Sequence, residues 1–143
     1  MNRILPMLIL AVIGCGSGEQ SDLVAVTGTV TLDSDPIGHT VVTFMPIEST
    51  PGHGGSATTD AAGKYVAMTS KGKKGLPPGT YKVVVSRRLY RDGTPPPPDE
   101  KPIESQASET LPARYSDAEK TELLYKLAAG ETKPYDLKLR KKK

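Results

Sequence analysis

The sequence is poor in several residue types, and each shortage excludes a class of structure. Its 143 residues include one cysteine, which excludes an internal disulfide and a zinc site built from several thiolates. Tryptophan is absent, phenylalanine occurs once, and aromatic residues make up only 5% of the chain. A core must therefore be built mainly from valine, leucine, isoleucine and tyrosine, which favour strands. The length suits a single domain.

An excess of charge of one sign is also missing. The chain carries 19 basic and 16 acidic residues, a net charge of +3. A charge so close to balance produces no strong positive electrostatic potential that would attract nucleic acid. We therefore expect no nucleic-acid partner. The basic run at residues 141–143 predicts a solvated tail.

Catalytic signatures are lacking as well. The chain has no G-x-S-x-G or H-E-x-x-H motif, and its two histidines, His39 and His53, lie fourteen residues apart. Asp33 and Asp35 flank a turn, which is the ordinary place for aspartate, and no second set of oxygen ligands for calcium accompanies them. We therefore predict no catalytic residue, no metal ligand and no cofactor.

The one cysteine stands in an informative place. Arg3 precedes an apolar run that is too short to span a bilayer permanently, so residues 1–14 predict a secretion signal. An ordinary signal peptide with an incidental cysteine, or an apolar first strand, are the alternatives. "VIGC", at residues 12–15, resembles the bacterial lipobox, which implies that Cys15 becomes the lipidated first residue of the mature protein. Residues 15–22 would then form a tether, and Gly16 in place of aspartate favours the outer membrane.

Alternation of apolar and polar residues predicts strands from residue 23 onward. In "LVAVTGTVTL", residues 23–32, valine and leucine occupy one face while alanine and threonine occupy the other. Gly28 interrupts this pattern and predicts a bulge or a close approach of another segment. After a turn, "HTVVTFMP" predicts a second strand, which we expect to end at Pro46.

Turn motifs then divide the middle of the chain. A loop at residues 47–55 precedes "TTDAAGKY", where aspartate and glycine at residues 60–63 predict a hairpin. "LPPGTY" predicts another turn, followed by the strongest strand signal of the chain at residues 80–90.

Residues 91–110 form a Pro-rich insertion. Their sequence, "RDGTPPPPDEKPIESQASET", has no alternation and four consecutive prolines that lack N–H donors for a sheet. We predict no buried apolar surface here and a mobile loop, with a functional loop as the alternative.

Two readings compete for the segment that follows. Ser116 and Glu119 form a capping box that favours a helix over residues 117–129. As a strand, the same segment would place Leu123, Tyr125 and Leu127 on one face, and "AAGETK" would be a hairpin loop into the alternating "PYDLKLR".

Four segments together resemble a known family. Residues 28–30, 36–41, 59–65 and 78–81 are similar to the strand ends and turns of transthyretin-like, or carboxypeptidase regulatory-like, domains of small bacterial lipoproteins. The resemblance implies an all-β, seven-stranded prealbumin-like (Ig-like) β-sandwich over residues 23–140. "LPARY" before the last segment matches the lipoprotein subset, so we predict a strand there, with a helical turn near residues 117–120. These motifs indicate fold much more than function.

One surface cluster suggests binding. Arg87, Arg88, Tyr90 and Arg91, the Arg/Tyr cluster, combine guanidinium groups with an aromatic ring and are candidates for contact with an anionic glycan or a protein carboxylate. The alternative is a set of strand-exit charges that prevent edge aggregation.

These expectations lead to one functional hypothesis and two alternatives. We expect a lipid-anchored, non-catalytic binding or assembly module of the bacterial cell envelope, whose partners are the membrane and an envelope protein or glycan. A small hydrolase or carbohydrate-active accessory, with a site in residues 47–55 or 91–110, is the first alternative. A structural spacer is the second.

Overall fold

The computed structural model describes residues 22–142, which form eleven strands and one short helix. The predicted signal, Cys15 and most of the predicted tether lie outside the described residues. The elements are β1 Thr27–Leu32, β2 Asp35–Pro36, β3 Val41–Ile47, β4 Gly55–Thr58, β5 Lys64–Val66, β6 Met68–Thr69, β7 Gly79–Ser86, β8 Arg88–Leu89, β9 Ser108–Glu109, α1 Ala113–Ser116, β10 Leu124–Leu127 and β11 Leu137–Leu139. The expected all-β class is confirmed.

The first sheet is built around β1. On one side β1 pairs with β11 in parallel, and on the other it pairs antiparallel with β5 and then with β2. The predicted alternation is confirmed, because Val24, Val26 and Val30 are buried while the intervening threonines face outward. The close approach predicted at Gly28 is confirmed. A Cβ atom at this position would lie 1.9 Å from the carbonyl oxygen of Tyr135. Only glycine lets the chain segment before β11 lie this close to β1.

The second sheet has the strand order β10, β7, β3, β4, β6, and all its pairs are antiparallel. Its central strands, β3 and β7, alternate buried and outward residues along their length. Pro46 was expected to end β3, and this was wrong, because β3 continues to Ile47. Pro46 has no N–H to donate, but this does not break the sheet. β4 pairs with β3 only as far as Phe44, so on that side no strand would accept a hydrogen bond from residue 46.

The inner faces of both sheets share one hydrophobic cluster. Phe44 lies at its centre with 1% of its surface exposed, and its ring lies 6.1 to 6.5 Å from four tyrosine rings. These tyrosines are Tyr65, Tyr81, Tyr125 and Tyr135. Two of them keep a buried hydroxyl satisfied, since Tyr65 donates to the carbonyl of Tyr135 at 2.5 Å and Tyr81 donates to that of Pro77 at 2.6 Å. The single phenylalanine thus organises a core made mainly of aliphatic and tyrosine side chains.

The turn at residues 60–63 is present, but the predicted hairpin is wrong. Asp60 donates its N–H to the carbonyl of Lys64 at 2.9 Å, and Gly63 has a φ of 74°. However, β4 before the turn belongs to the second sheet, while β5 after it pairs with β1 in the first. The turn therefore carries the chain from one sheet to the other.

The segment after the insertion is a strand, as predicted. β10 buries Tyr125 and Leu127 and exposes the residues between them. The helix lies slightly earlier, at Ala113–Ser116, and a hydrogen-bonded turn follows in which the N–H of Thr121 donates to the carbonyl of Asp117. Pro112 rather than Ser116 precedes the helix, so the apparent capping box does not cap it.

The last two strands do not form the expected hairpin. β10 pairs with β7 in the second sheet, whereas β11 pairs in parallel with β1 in the first. Local turn chemistry does not specify this crossing. The stacked rings of Tyr125 and Tyr135, 4.0 Å apart at 18°, lie on either side of it and join the two sheets.

The strands define two ends of the body. The near end, where the described chain begins, contains residues 22–26 and the loops at 48–54, 70–78 and 128–134. The far end contains residues 33–40, 59–63, 87–123 and 140–142.

Candidate functional site

The Arg/Tyr cluster lies at the far end, where β7 stops. The predicted strand over residues 80–90 is interrupted at Arg87, and β8 continues from it in a separate two-stranded ladder with β9. The last residues of the Pro-rich insertion therefore do form a strand, and Ala107 among them is buried. The expectation that residues 91–110 lack sheet structure and burial was wrong at this point, whereas their mobility stays a prediction.

Two arginines of the cluster bind backbone carbonyl groups. The Nε atom of Arg87 donates to the carbonyl oxygen of Gly38 at 3.0 Å. The Nη2 atom of Arg88 donates to the carbonyls of Ala107 at 2.7 Å and Pro102 at 3.4 Å. Both side chains are half-buried. Arg87 thus ties the end of β7 to the β2–β3 connection, and Arg88 ties the insertion back onto β8.

Glu109 closes the insertion at its other end, and sequence reasoning missed it. Its carboxylate accepts hydrogen bonds from the Ser86 hydroxyl at 2.6 Å and from the backbone N–H groups of Arg87 at 3.0 Å and Leu111 at 2.9 Å. Thr110 adds two bonds to the Arg87 carbonyl, at 2.9 Å from its N–H and 2.7 Å from its hydroxyl. A glutamate near the end of a Pro-rich insertion is a weak sequence signal, because two of its three partners, Ser86 and Arg87, lie more than twenty residues away.

The rest of the cluster is closer to solvent. The Tyr90 hydroxyl donates to the carboxylate of Glu100, and this bond raises the pKa of Tyr90. Bonds from Ser105 and Tyr90, with the charge of Arg88, lower the pKa of Glu100. Arg91 is exposed. All four predicted residues thus lie at the far end, where three are half-buried and Arg91 is exposed.

The histidines do not come together. His39 lies at the far end and His53 lies in the near-end loop. The loop at residues 47–55 lies at the near end, and the insertion at residues 91–110 lies at the far end. No cleft is therefore lined by both segments. Within residues 22–142, no three histidine, cysteine, aspartate or glutamate side chains cluster as a metal site would require.

The surface depressions of the described chain are shallow and contain few ionisable groups. One depression of about 690 Å³ is an open groove between β4, β5 and β6 whose ionisable side chains are those of Asp60, Lys64 and Tyr65. A second, about 590 Å³, lies at the far end beside Asp33, Lys138 and Arg140. Neither has the enclosed apolar walls of a small-molecule pocket.

The near end holds a basic group that sequence reasoning also missed. Lys71, Lys73 and Lys74 lie in one turn, and all three are exposed. The turn is closed by bonds from the N–H of Thr69 to the Lys73 carbonyl at 2.8 Å and from the N–H of Gly72 to the Thr69 carbonyl at 2.9 Å. The sequence "SKGKKG" is the signal from which this group was predictable.

Among residues 22–142, no helix is long and apolar enough to cross a membrane. Compared with models of protein families, with curated proteins and with solved structures, the chain matches none.

Proposed function

We propose that this protein is a lipid-anchored, non-catalytic module of the bacterial cell envelope, on the outer membrane, that binds an envelope protein or an anionic glycan. The observation that carries the proposal is "VIGC" at residues 12–15, which places the only thiol of the chain between an apolar run and a polar, glycine-rich segment. Lipidation of Cys15 explains that position.

The physics of anchoring supports this role for Cys15. Each buried methylene of an acyl chain contributes about 0.8 kcal/mol, so one chain binds a membrane only marginally while two or three hold a protein there stably. The hydrophobic cluster of the described residues begins at Val24. The glycine- and serine-containing composition of residues 15–22 suits a flexible tether.

The strand arrangement supports a seven-stranded prealbumin-like (Ig-like) β-sandwich of the transthyretin-like or carboxypeptidase regulatory-like type over residues 23–140. Four of the eleven strands have two residues each, which leaves seven longer strands. Of these seven, β1, β5 and β11 lie in one sheet, and β3, β4, β7 and β10 lie in the other. The two sheets share one apolar filling, as the layers of a sandwich do.

The far end supports a binding role, because it combines a hydrogen-bonded scaffold with accessible charge. Each guanidinium has five donors, so Arg87 and Arg88 keep free N–H groups after binding backbone carbonyls. Arg91 is exposed beside them, next to the half-buried Tyr90. Carboxylates and sulfates are the acceptors that this fork-shaped donor set matches.

Mass spectrometry of the full chain, expressed in a bacterium, tests the anchor. We expect a mature protein that begins at Cys15 with diacylglycerol and acyl groups added, and a Cys15→Ala variant that loses these groups and leaves the detergent phase. A mature chain that begins elsewhere and carries no lipid would refute the anchor.

Capture from detergent-solubilised envelope tests the binding role. We expect a protein or glycan that is retained by the lipidated chain and lost from an Arg91→Ala variant, with Lys101→Ala as a matched control in the same insertion. Repeated failure of the lipidated chain to retain any partner would overturn the binding proposal and leave the anchor standing.

A further inference from the structure

The near end brings the beginning of the described chain against the lysine turn (Lys71, Lys73, Lys74). Val24 and Leu76 exchange two backbone hydrogen bonds of 2.9 Å each. At Gly75 a Cβ atom would lie 2.6 Å from the Val24 carbonyl oxygen and 3.3 Å from Cβ of Leu23. Lys74 directly precedes this contact, so the lysine turn lies beside the point where the chain from residue 15 enters the body.

Among the described residues, no carboxylate lies within ion-pair distance of the lysine turn. Within residues 22–142 the only ion pair closer than 4.0 Å joins Lys120 to Asp117 at the far end. Asp22, Glu48 and Glu131 also belong to the near end, but they come from three separate loops. The three lysines, in contrast, fall within four consecutive residues. This part of the near end is therefore a compact patch of unpaired positive charge.

The reach of the tether allows this patch to contact a membrane surface. Asp22 lies seven positions after Cys15, and a segment of seven residue steps extends at most about 25 Å. The far end lies farther away, because the path along β1 from Val24 to Leu32 adds roughly 26 Å at about 3.3 Å per residue. Screening limits charge attraction to about 8 Å at physiological salt, so only charges near the bilayer contribute.

We propose that Lys71, Lys73 and Lys74 bind anionic lipid headgroups of the membrane that holds the anchor, so that the near end faces the bilayer and the far end points away from it. This inference rests on the proposed lipidation of Cys15 and adds an orientation to it. The tether alone leaves the body free to rotate. Each lysine close to an anionic surface favours one orientation by about fivefold, so three favour it by about a hundredfold.

The orientation also serves the proposed binding role. With the near end at the headgroups, the Arg/Tyr cluster and the Pro-rich insertion stand at the opposite end, open to envelope partners. Arg88 binds backbone carbonyls of the insertion and Arg91 is exposed toward a partner, whereas the lysines are left for the membrane. The two basic regions thus have separate tasks.

Energy transfer in vesicles tests the orientation. The lipidated full chain is reconstituted in phosphatidylcholine vesicles with or without about one third phosphatidylglycerol, a content that gives a clearly negative surface. Because Cys15 carries the lipid, a cysteine introduced by Ser70→Cys at the near end or Ile103→Cys at the far end is the single free thiol for a fluorescent donor. Both native residues are exposed. The acceptor is attached to lipid headgroups.

The proposal predicts strong transfer from position 70 and weak transfer from position 103 in anionic vesicles. The difference should collapse in pure phosphatidylcholine, at 1 M salt and in a Lys71→Gln, Lys73→Gln, Lys74→Gln variant. A matched variant with Lys138→Gln, Lys141→Gln and Lys142→Gln removes the same charge at the far end and should keep it. Thermal unfolding checks that both variants fold.

The outcomes separate the two proposals. If mass spectrometry finds lipid on Cys15 but transfer from both positions is equal in anionic vesicles, or only the far-end variant changes it, the orientation is refuted and the anchor stands. If no lipid is found on Cys15, the proposed function fails and the orientation fails with it.

Discussion

The near and far ends of this protein both carry clustered basic residues, but they use them in different ways. At the far end, Arg87 and Arg88 donate to backbone carbonyls at 3.0 and 2.7 Å. At the near end, Lys71 and Lys73 are exposed on a turn, and no carboxylate of residues 22–142 lies in ion-pair distance. Clustered charge in a sequence therefore does not by itself indicate a binding surface. The hydrogen-bond partners of each group decide which charges remain available.

Side-chain chemistry explains the division. Guanidinium is planar and weakly hydrated, so it suits fixed bonds to carbonyls in a half-buried setting. Ammonium is a compact, strongly hydrated charge on a flexible stem and suits an exposed turn. Gly72, with a φ of 77°, lets that turn form without a side chain between the lysines.

The largest expected effect comes from the core that supports both ends. Phe44→Ala removes the ring that four tyrosines contact, and truncation of a buried phenylalanine costs about 3–5 kcal/mol. We expect the free energy of unfolding, measured by urea denaturation, to fall by that amount. Both ends should lose amide protection together. Ile103→Ala is the control, because that side chain is 92% exposed. A loss below about 1 kcal/mol for Phe44→Ala would contradict this description of the core.

High pH should open the near end before the far end. Burial raises the pKa of Tyr81 and Tyr135 to about 12, and burial raises that of Tyr65 further. Below the ordinary value of 10.0 both folded and unfolded chains hold these protons, so the contribution of the phenols is fully present. Above it only the unfolded chain releases them, so stability falls as the pH rises through 10 toward 12. Amide exchange should show protection lost first around Pro77 and Tyr135.

A Tyr81→Phe variant tests the cause. It keeps the ring but removes a hydroxyl that ionises, so its stability should fall less steeply above pH 10 than that of the native protein. Equal slopes for the two proteins would assign the alkaline loss to other groups.

Much of the body was predictable from sequence because its signals are local. Gly28 was signalled by the break that it makes in the alternation, although the Tyr135 carbonyl that requires a glycine there is distant in sequence. The alternation in β1 and β10 and the turn at residues 60–63 follow from neighbouring residues and from backbone sterics. Sheet membership does not. The turn at residues 60–63 has hairpin chemistry, yet the strands on its two sides join different sheets, since each buries its apolar face against a partner distant in sequence.

The candidate site shows the same limit. Sequence located the Arg/Tyr cluster but could not show that Gly38 and Ala107 supply acceptors for its arginines, because these carbonyls are brought near only by the fold. Glu109 was missed for the same reason. The parallel pairing of β11 with β1 spans more than one hundred residues and has no local signature.

A smaller effect is expected from Glu109, which fixes the far end. Glu109→Ala removes three hydrogen bonds to one carboxylate. Because Glu109 is exposed to water, we expect these three bonds together to contribute only about 2 kcal/mol to the free energy of unfolding. Glu109→Gln keeps an acceptor oxygen and should lose less. Glu104→Ala, in the same insertion, is the control. If Glu104→Ala and Glu109→Ala destabilise equally, the insertion is not held by this carboxylate.

The two kinds of arginine in the Arg/Tyr cluster should differ by a smaller margin. Arg88→Ala removes bonds to two carbonyls and should cost about 1 kcal/mol, with faster amide exchange in β9. Arg91→Ala should change stability by less than about 0.5 kcal/mol, because it removes an exposed side chain. Thermal unfolding of both variants measures the difference. A larger loss for Arg91 would mean that its charge supports the fold and is not available to a partner.

The smallest effect on stability is expected at the lysine turn of the near end. Replacing Lys71, Lys73 and Lys74 together by glutamine should shift the free energy of unfolding by less than about 0.5 kcal/mol, since exposed groups without partners contribute little. The same variant is expected to lose its orientation on anionic vesicles. If the variant keeps its stability but loses its orientation, the three lysines act on an external surface and do not stabilise the fold. A large loss of stability would place the lysines in the same structural class as Arg87 and Arg88, and the contrast between the two ends would disappear.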